Sequence, residues 1–233
     1  MNETSDYVDE VDLSTFTPPA RREPCELYLI SPQEVGGEFP DLLKAALSAG
    51  PVAAFQLRVK GIDEHALARL AEPLQRICAD ADTAFIVNDS VALAKRLGAD
   101  GVHLGQSDGD AREARDILGP SVQIGVTCHD SRHLAMDAGE KGADYVAFGA
   151  FYPTTTHATK YRPDPRLLSW WASLFEVPCV AIGGITPLNA APLITAGADF
   201  VAVCNAVWGS GDPASEVAKF EALFAARESA TRS

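Results

Sequence analysis

Short apolar runs recur along the chain, each separated from the next by a longer amphipathic or polar stretch. Read as strands, they are Leu27–Ile30, Ala53–Leu57, Ala84–Val87, Gly101–Leu104, Gln123–Val126, Tyr145–Phe148, Cys179–Ile182 and Phe200–Val203. They lack the apolar–polar alternation of a half-solvated sheet, so both faces should be covered, as in a parallel sheet flanked by helices. The stretches between them carry helix signals. Val91–Leu97 is closed by Gly98. Thr186-Pro187 reads as the N-cap and first residue of a seventh helix, which Pro192 should shorten or kink. Asp212-Pro213 opens a last helix over Pro213–Glu228.

An internal repeat gives the runs an order. Leu97-Gly98-Ala99-Asp100-Gly101-Val102, Lys141-Gly142-Ala143-Asp144-Tyr145-Val146 and Ala196-Gly197-Ala198-Asp199-Phe200-Val201 follow one pattern. A Gly past a helix end accepts positive φ, Ala-Asp makes the turn, and a strand follows. Copies before the fourth, sixth and eighth strands point to one unit repeated around a ring, a compact (β/α)8 TIM barrel over residues 25–233. An open doubly wound sheet competes, but it would favour a Gly-rich loop after the first strand, where Ser31-Pro32-Gln33-Glu34 stands. Residues 1–24 are acidic and poor in aliphatics, and read as a mobile leader.

Composition narrows the partners. The chain has 233 residues, 47% hydrophobic and 22% charged, with a formal net charge of −13. That argues against nucleic acid and anionic membrane. No apolar stretch is long enough to span a bilayer, and the polar start is unlike a signal peptide. Five cysteines, Cys25, Cys78, Cys128, Cys179 and Cys204, lie mostly in apolar runs without a C-x-x-C. They read as free thiols of a reducing cytoplasm. The sequence is compatible with a homo-oligomer and does not specify one.

In a TIM barrel, activity gathers at the C-terminal ends of the strands. The third and fourth strands each stop at an acid, Asp89 after Asn88 and Asp108 after Gln106-Ser107. A parallel βαβ unit places both acids at the same end of the sheet, a natural seat for Mg²⁺. An acid in that position often only caps the next helix; it is the setting that raises these two. Gln56, Arg58 and Lys60 alternate to one side of the second strand, where two cations and an amide can clamp a phosphate. The fifth strand ends with Thr127, Cys128 and His129. Thr127 can hydrogen-bond a substrate, His129 could serve as acid or base, and Cys128 lacks the surroundings of a nucleophile. The long loop after the sixth strand carries Thr154, Thr155, Thr156, His157 and Lys160, hydroxyls with one certain cation, suited to a phosphate under a lid. Gly183-Gly184 after the seventh strand and Cys204-Asn205 after the eighth lie where barrels commonly bind phosphate. Two anionic groups are implied, one on each side of the mouth.

These motifs, Gln56-Leu57-Arg58-Val59-Lys60, Asn88-Asp89, Gly98–Asp108, Gly125-Val126-Thr127, Phe148–Thr156 and Ala181–Ile185, resemble thiamine phosphate synthase, in order and across roughly residues 25 to 210. The resemblance implies a TIM barrel that joins a hydroxymethylpyrimidine diphosphate to a thiazole phosphate, releasing pyrophosphate with Mg²⁺. It implies that Gln56, Arg58, Lys60 and Asn88 hold the pyrimidine diphosphate and that Asp89 and Asp108 hold Mg²⁺. Thr127 stands where the family usually has Ser. Thr154, Thr155, Thr156 and the Gly183-Gly184 backbone would hold the thiazole phosphate. Two positions depart from the family pattern. His157 stands in place of a loop Lys, which Lys160 could replace, and Asn205 in place of a phosphate-binding Ser. A thiazole tautomerase working through His129, and a non-catalytic phosphate-ligand binder suggested by His157 and Asn205, are the alternatives.

Overall fold

The computed structural model describes residues 24–154 and 160–231. Eight strands alternate with helices: β1 (Glu26–Ile30), α1 (Phe39–Leu47), β2 (Ala54–Leu57), α2 (Glu64–Asp80), β3 (Ala84–Asn88), α3 (Val91–Leu97), β4 (Gly101–Leu104), α4 (Ala111–Leu118), β5 (Gln123–His129), α5 (Arg132–Glu140), β6 (Tyr145–Gly149), α6 (Arg166–Leu174), β7 (Cys179–Ile182), α7 (Ala191–Thr195), β8 (Phe200–Val203), α8 (Asn205–Trp208) and α9 (Pro213–Thr231). Each strand pairs in parallel with the next, and β8 pairs with β1, so the sheet closes. The TIM barrel is confirmed. The open sheet is excluded because β8 pairs with β1 and no strand is left at an edge. The acidic leader, residues 1–23, lies outside the described residues.

The strands sort their residues into two layers. Leu27, Leu29, Phe55, Leu57, Phe85, Val87, Val102 and Leu104 face outward into the core beneath the helices. Tyr28, Ile30, Ala54, Ile86, Tyr145, Ala147, Val180 and Ala202 form a second cluster inside the barrel. Both faces are thus covered, but the interior is not wholly apolar: Gln56 and His103 are buried there too.

The Gly-Ala-Asp repeat acts as a joint at three places. Gly98, Gly142 and Gly197 have φ of 60°, 86° and 101°. The following Ala N–H closes the helix end, Ala99 onto Ala94, Ala143 onto Ala138 and Ala198 onto Leu193. Each Asp then makes a reciprocal pair with the strand before that helix. Asp100 N–H donates to Phe85 O at 3.0 Å while its Oδ2 accepts from Phe85 N at 2.8 Å. Asp144 does the same with Ile124, and Asp199 with Cys179. These Asp side chains satisfy backbone N–H groups where β3, β5 and β7 begin, at the end of the barrel away from the site.

Three sequence expectations need correction. α7 begins at Ala191, not at Thr186-Pro187. Thr186–Asn189 is a turn in which Thr186 N donates to Asn189 Oδ1 at 2.8 Å. Pro192 lies in the first turn of α7, where a missing N–H costs nothing, and does not interrupt it. β5 runs on to His129 through an irregular register against β6 between Thr127 and His129. The last helix starts as expected, with Asp212 Oδ1 accepting from Ser215 N at 3.0 Å, and runs to Thr231. The cysteines are free. Among the described residues, no helix is long and apolar enough to cross a membrane.

Candidate active site

The β1 loop builds the basic side of the barrel mouth. Ser31 is buried, and its Oγ accepts from Arg58 N at 2.8 Å while its own N–H donates to Gln56 O at 2.9 Å. Gln33 grips the next turn from both sides: its Nε2 donates to Lys60 O at 2.5 Å and its Oε1 accepts from Lys60 N at 3.1 Å. Val59 packs outward against the core, so the alternation expected after β2 holds, with Gln56, Arg58 and Lys60 directed away from that core. Lys60 Nζ pairs with Asp89 Oδ2. That pair is half-exposed, so its contribution to stability is small, about 0.2–1 kcal/mol, and its effect is placement.

Asp89 leaves β3 with φ of 67°, a conformation uncommon outside glycine and best tolerated by Asp and Asn. Its N–H donates to His103 O on β4 at 2.8 Å. It does not cap α3; Ser90 does, through Leu93 N at 3.1 Å. Nor does Asp108 cap α4, a role taken by Asp110 through Arg112 N at 2.8 Å. Asp108 folds back over the end of β4, its Oδ2 accepting from Gly105 N at 3.0 Å and its Oδ1 from Ser107 Oγ at 3.2 Å. β3 and β4 are neighbours, with Asn88 in register with His103, so both acids stand at adjacent strand ends. Among the described residues, no group of three or more His, Cys, Asp or Glu forms a metal cage. Two carboxylates beside the basic side chains Arg58 and Lys60 have the oxygen donors that suit Mg²⁺, which keeps waters and takes further oxygens from a ligand.

A polar row crosses the barrel below these groups. Gln56 Nε2 donates to Tyr28 Oη at 2.9 Å, Tyr28 Oη lies 3.0 Å from Tyr145 Oη, and Tyr145 Oη lies 3.1 Å from His103 Nδ1. His103 Nε2 is 2.8 Å from Thr127 Oγ1. Burial, aided by the Arg58 charge and opposed by Asp108, pulls the His103 pKa down to about 4. Gln106 secures the same strand end by donating to Thr127 O at 2.6 Å. Tyr28, Ser31, Gln33, His103 and Tyr145 were not singled out from sequence. Tyr28, His103 and Tyr145 sit inside runs that read as plain strand, and only their odd polarity in those runs marks them. Cys128 is buried, and burial pushes its thiol up to about 12, which removes it as a nucleophile.

Across the mouth, the β6 and β7 loops lie against each other. Phe151 N donates to Ile182 O at 3.1 Å and Tyr152 N to Gly183 O at 3.0 Å. Gly183 and Gly184 have φ of 101° and 64°, and a Cβ on them would fall 2.2 Å from Ala150 Cβ and 2.3 Å from Pro153 O. The paired glycines are therefore needed for loop against loop, and no helix follows them directly, since α7 starts at Ala191. Asn205 begins α8, whose Trp208 donates from Nε1 to Ile30 O at 2.7 Å and packs edge-on against Phe39. Cys204 donates to Ser31 O at 3.5 Å, tying β8 to the Arg58 side, and burial raises its thiol to about 11. His129, with φ of 55°, stacks on Tyr161 at 4.2 Å, and Lys160 Nζ lies 5.4 Å from that ring. Arg162 Nη1 donates to Ala150 O at 3.4 Å. Thr154 is half-buried at the end of the β6 loop. Thr155, Thr156 and His157 lie outside the described residues.

Residues 27–207 match the family model described as thiamine monophosphate synthase. Over 207 residues the chain is 63% identical to a thiamine-phosphate synthase of Erythrobacter litoralis (strain HTCC2594), covering 87% of this chain and 97% of that one. It is 54% identical over 202 residues to that of Rhodospirillum centenum (strain ATCC 51521 / SW), covering 86% and 98%. The solved thiamine phosphate pyrophosphorylase from Pyrococcus furiosus superposes with a TM-score of 0.76 at 30% identity, covering 85% of this chain and 95% of that one. The chain belongs to the thiamine monophosphate synthase family.

Proposed function

We propose that this chain is a transferase that makes thiamine phosphate, joining 4-amino-2-methyl-5-hydroxymethylpyrimidine diphosphate to a thiazole phosphate with release of pyrophosphate. The observation that carries the reading is the meeting of Arg58, Lys60, Asp89 and Asp108 at three consecutive strand ends in a chain 63% identical to a thiamine-phosphate synthase. Residues 25–233 are taken as one catalytic unit.

Gln56, Arg58, Lys60, Asn88 and Thr127 would hold the pyrimidine diphosphate. Thr154, Thr155, Thr156, His157, Lys160, the Gly183-Gly184 backbone, Cys204 and Asn205 would line the thiazole phosphate side. Mg²⁺ held by Asp89 and Asp108 would neutralise diphosphate oxygens as the carbon–oxygen bond breaks. Arg58 and Lys60 donate charged hydrogen bonds to the same leaving group, each worth about 1.5–3 kcal/mol. Lys60 exchanges its Asp89 partner for phosphate at little cost, because that pair is solvent-exposed. The remaining pyrimidine methyl cation, stabilised by its ring amine, is captured by the thiazole nitrogen. The barrel holds the two rings in line, so catalysis is mostly positioning and charge.

The test is a two-substrate assay on the purified full chain with and without Mg²⁺. Thiamine phosphate and pyrophosphate should appear in equal amounts and only with the metal. Absence of both products with Mg²⁺ present would refute the reading.

A further inference from the structure

The interior row has a direction, and the direction decides what the barrel floor presents to a ligand. Its members come from five strands: Gln56 on β2, Tyr28 on β1, Tyr145 on β6, His103 on β4 and Thr127 on β5. The four links run 2.9, 3.0, 3.1 and 2.8 Å. Gln56, Tyr28, Tyr145 and His103 are all less than a tenth exposed, and among the described residues no buried side-chain polar atom lacks a partner. Thr127 is half-buried at the open end.

An amide nitrogen only donates, so Tyr28 Oη accepts from Gln56. Tyr28 has one proton left, and its remaining neighbour in the row is Tyr145 Oη. Tyr145 in turn gives its proton to His103 Nδ1, which must then be the bare nitrogen. A neutral imidazole with a bare Nδ1 carries its proton on Nε2, and that proton goes to Thr127 Oγ1. Every hydroxyl and imidazole proton of the row is used except the last, that of Thr127. The opposite order requires the Gln56 amide to be turned over, so that its oxygen faces Tyr28 and every bond reverses. In that order Thr127 spends its proton on His103 and offers only lone pairs.

We propose that His103 is a positioning residue for this site: as the Nε2–H tautomer it holds the Thr127 hydroxyl as a hydrogen-bond donor toward the barrel mouth, while Gln56 at the other end of the row keeps its carbonyl oxygen as an acceptor. The floor thus offers one acceptor and one donor at fixed places, and a ligand with the matching pair fits in one orientation only. A charged imidazole would donate from both nitrogens and break the order at Tyr145. Gly125 is part of the device, since a Cβ there would fall 2.0 Å from Tyr145 Cζ. The inference rests on the synthase reading for its kinetic effect but not for its geometry.

Nitrogen-15 NMR of histidine-labelled full chain, with the His103 signal assigned by its loss in His103→Gln, reads the tautomer directly at pH 7 without ligand. A pyridine-like Nδ1 and a protonated Nε2 are expected. A protonated Nδ1, or a fast-exchanging mixture, overturns the proposal, and this readout needs no activity. In the two-substrate assay, His103→Leu should lower kcat about tenfold, the worth of one oriented hydrogen bond. His103→Gln, whose amide nitrogen can stand in for Nε2, should recover most of that. In a Thr127→Ala background, His103→Leu should add no further loss; multiplying losses would show that His103 does not act through Thr127. If the wild-type chain makes no thiamine phosphate, the synthase reading fails, and the tautomer alone decides the status of His103.

Discussion

The amide of Asp89 donates to the carbonyl of His103 at 2.8 Å, so the acid that ends β3 is fastened to the neighbouring strand while its backbone sits at a φ of 67°. A residue held in that region by a tertiary bond, and relieved of capping duty by Ser90, has its carboxylate placed for something other than the local fold. Asp89→Asn keeps the tolerated backbone and size but removes the charge. We expect kcat/KM for the pyrimidine diphosphate to fall about 10- to 100-fold, with a rise in the Mg²⁺ concentration needed for half-activity, and the same for Asp108→Asn. Pyrophosphate release measured across a magnesium series checks this. An unchanged magnesium dependence in both variants would remove these acids from the metal site.

Much of this arrangement was legible beforehand, for identifiable reasons. The strands were visible because parallel barrel strands are buried on both faces, and the ring was visible because Gly98-Ala99-Asp100 recurs twice more at the same joint. Arg58, Lys60, Asp89 and Asp108 stood out as charges ending apolar runs. Ser31 and Gln33 were not legible, because their work is done through the backbones of Arg58 and Lys60, contacts between loops that no local pattern encodes. His103 was hidden by its run: a polar residue at an inward strand position looks like any strand residue until its partners from β5 and β6 are known. Thr186-Pro187 misled because a cap-like pair also suits a turn, and the Asn189 side chain chose the turn.

Gln33 makes a prediction of its own. It touches Lys60 only through the main chain, at 2.5 and 3.1 Å, so Gln33→Ala frees the loop that aims the Lys60 ammonium without removing a charge. The KM for the pyrimidine diphosphate should rise several-fold while thermal stability changes little, since one exposed hydrogen-bonded clamp contributes about 1 kcal/mol. Steady-state kinetics beside a melting curve separate the two effects. A lowered melting temperature with an unchanged KM would show that the clamp serves the fold alone.

His103 also gives the fold an acid limit. Its pKa is about 4 in the folded protein against 6.5 for the ordinary imidazole, so the unfolded chain binds a proton that the folded chain refuses. The stability this contributes is complete above pH 6.5 and is lost progressively as pH falls from 6.5 toward 4. His103→Gln has no such group. Its unfolding free energy, measured with urea at several pH values, should therefore fall less steeply over that interval than that of the wild type. Parallel curves would mean that other groups set the acid limit.

The repeated aspartates should not be equal. Asp100 accepts from Phe85 N, whereas Asp144 accepts from Ile124 N and also pairs with Arg115 at 2.5 Å. Arg115 further donates to Gly119 O and Val122 O, so Asp144 anchors a guanidinium that staples the end of α4 to β5. Asp144→Ala strands both a strand N–H and a half-buried cation, and should cost about 2–4 kcal/mol. Asp100→Ala strands only the N–H and should cost about 1–2 kcal/mol. Both act at the barrel end away from the mouth, so kcat at low temperature should be near that of the wild type. Urea unfolding that ranks Asp100→Ala as the more damaging would contradict the role given to Arg115.

Two glycine-to-alanine changes should move stability in opposite directions. Gly125 lies inside the barrel, where an added Cβ would fall 2.0 Å from Tyr145 Cζ and 2.4 Å from its hydroxyl. Neither β5 nor β6 can yield, because each is paired on both sides. Gly125→Ala should therefore cost about 1–3 kcal/mol by overpacking. By displacing the Tyr145 hydroxyl from His103, it should also lower kcat in the protein that still folds. Gly139 lies within α5, and nothing stands within 4 Å of the Cβ it would gain. There the substitution removes only the excess freedom of the unfolded chain, so Gly139→Ala should stabilise by about 0.5–1 kcal/mol, with activity unchanged. Melting temperatures and kcat for the two variants, measured side by side, test the interior row by its packing. If Gly125→Ala matches the wild type in both, Tyr145 has room to move and the row is not held in one arrangement.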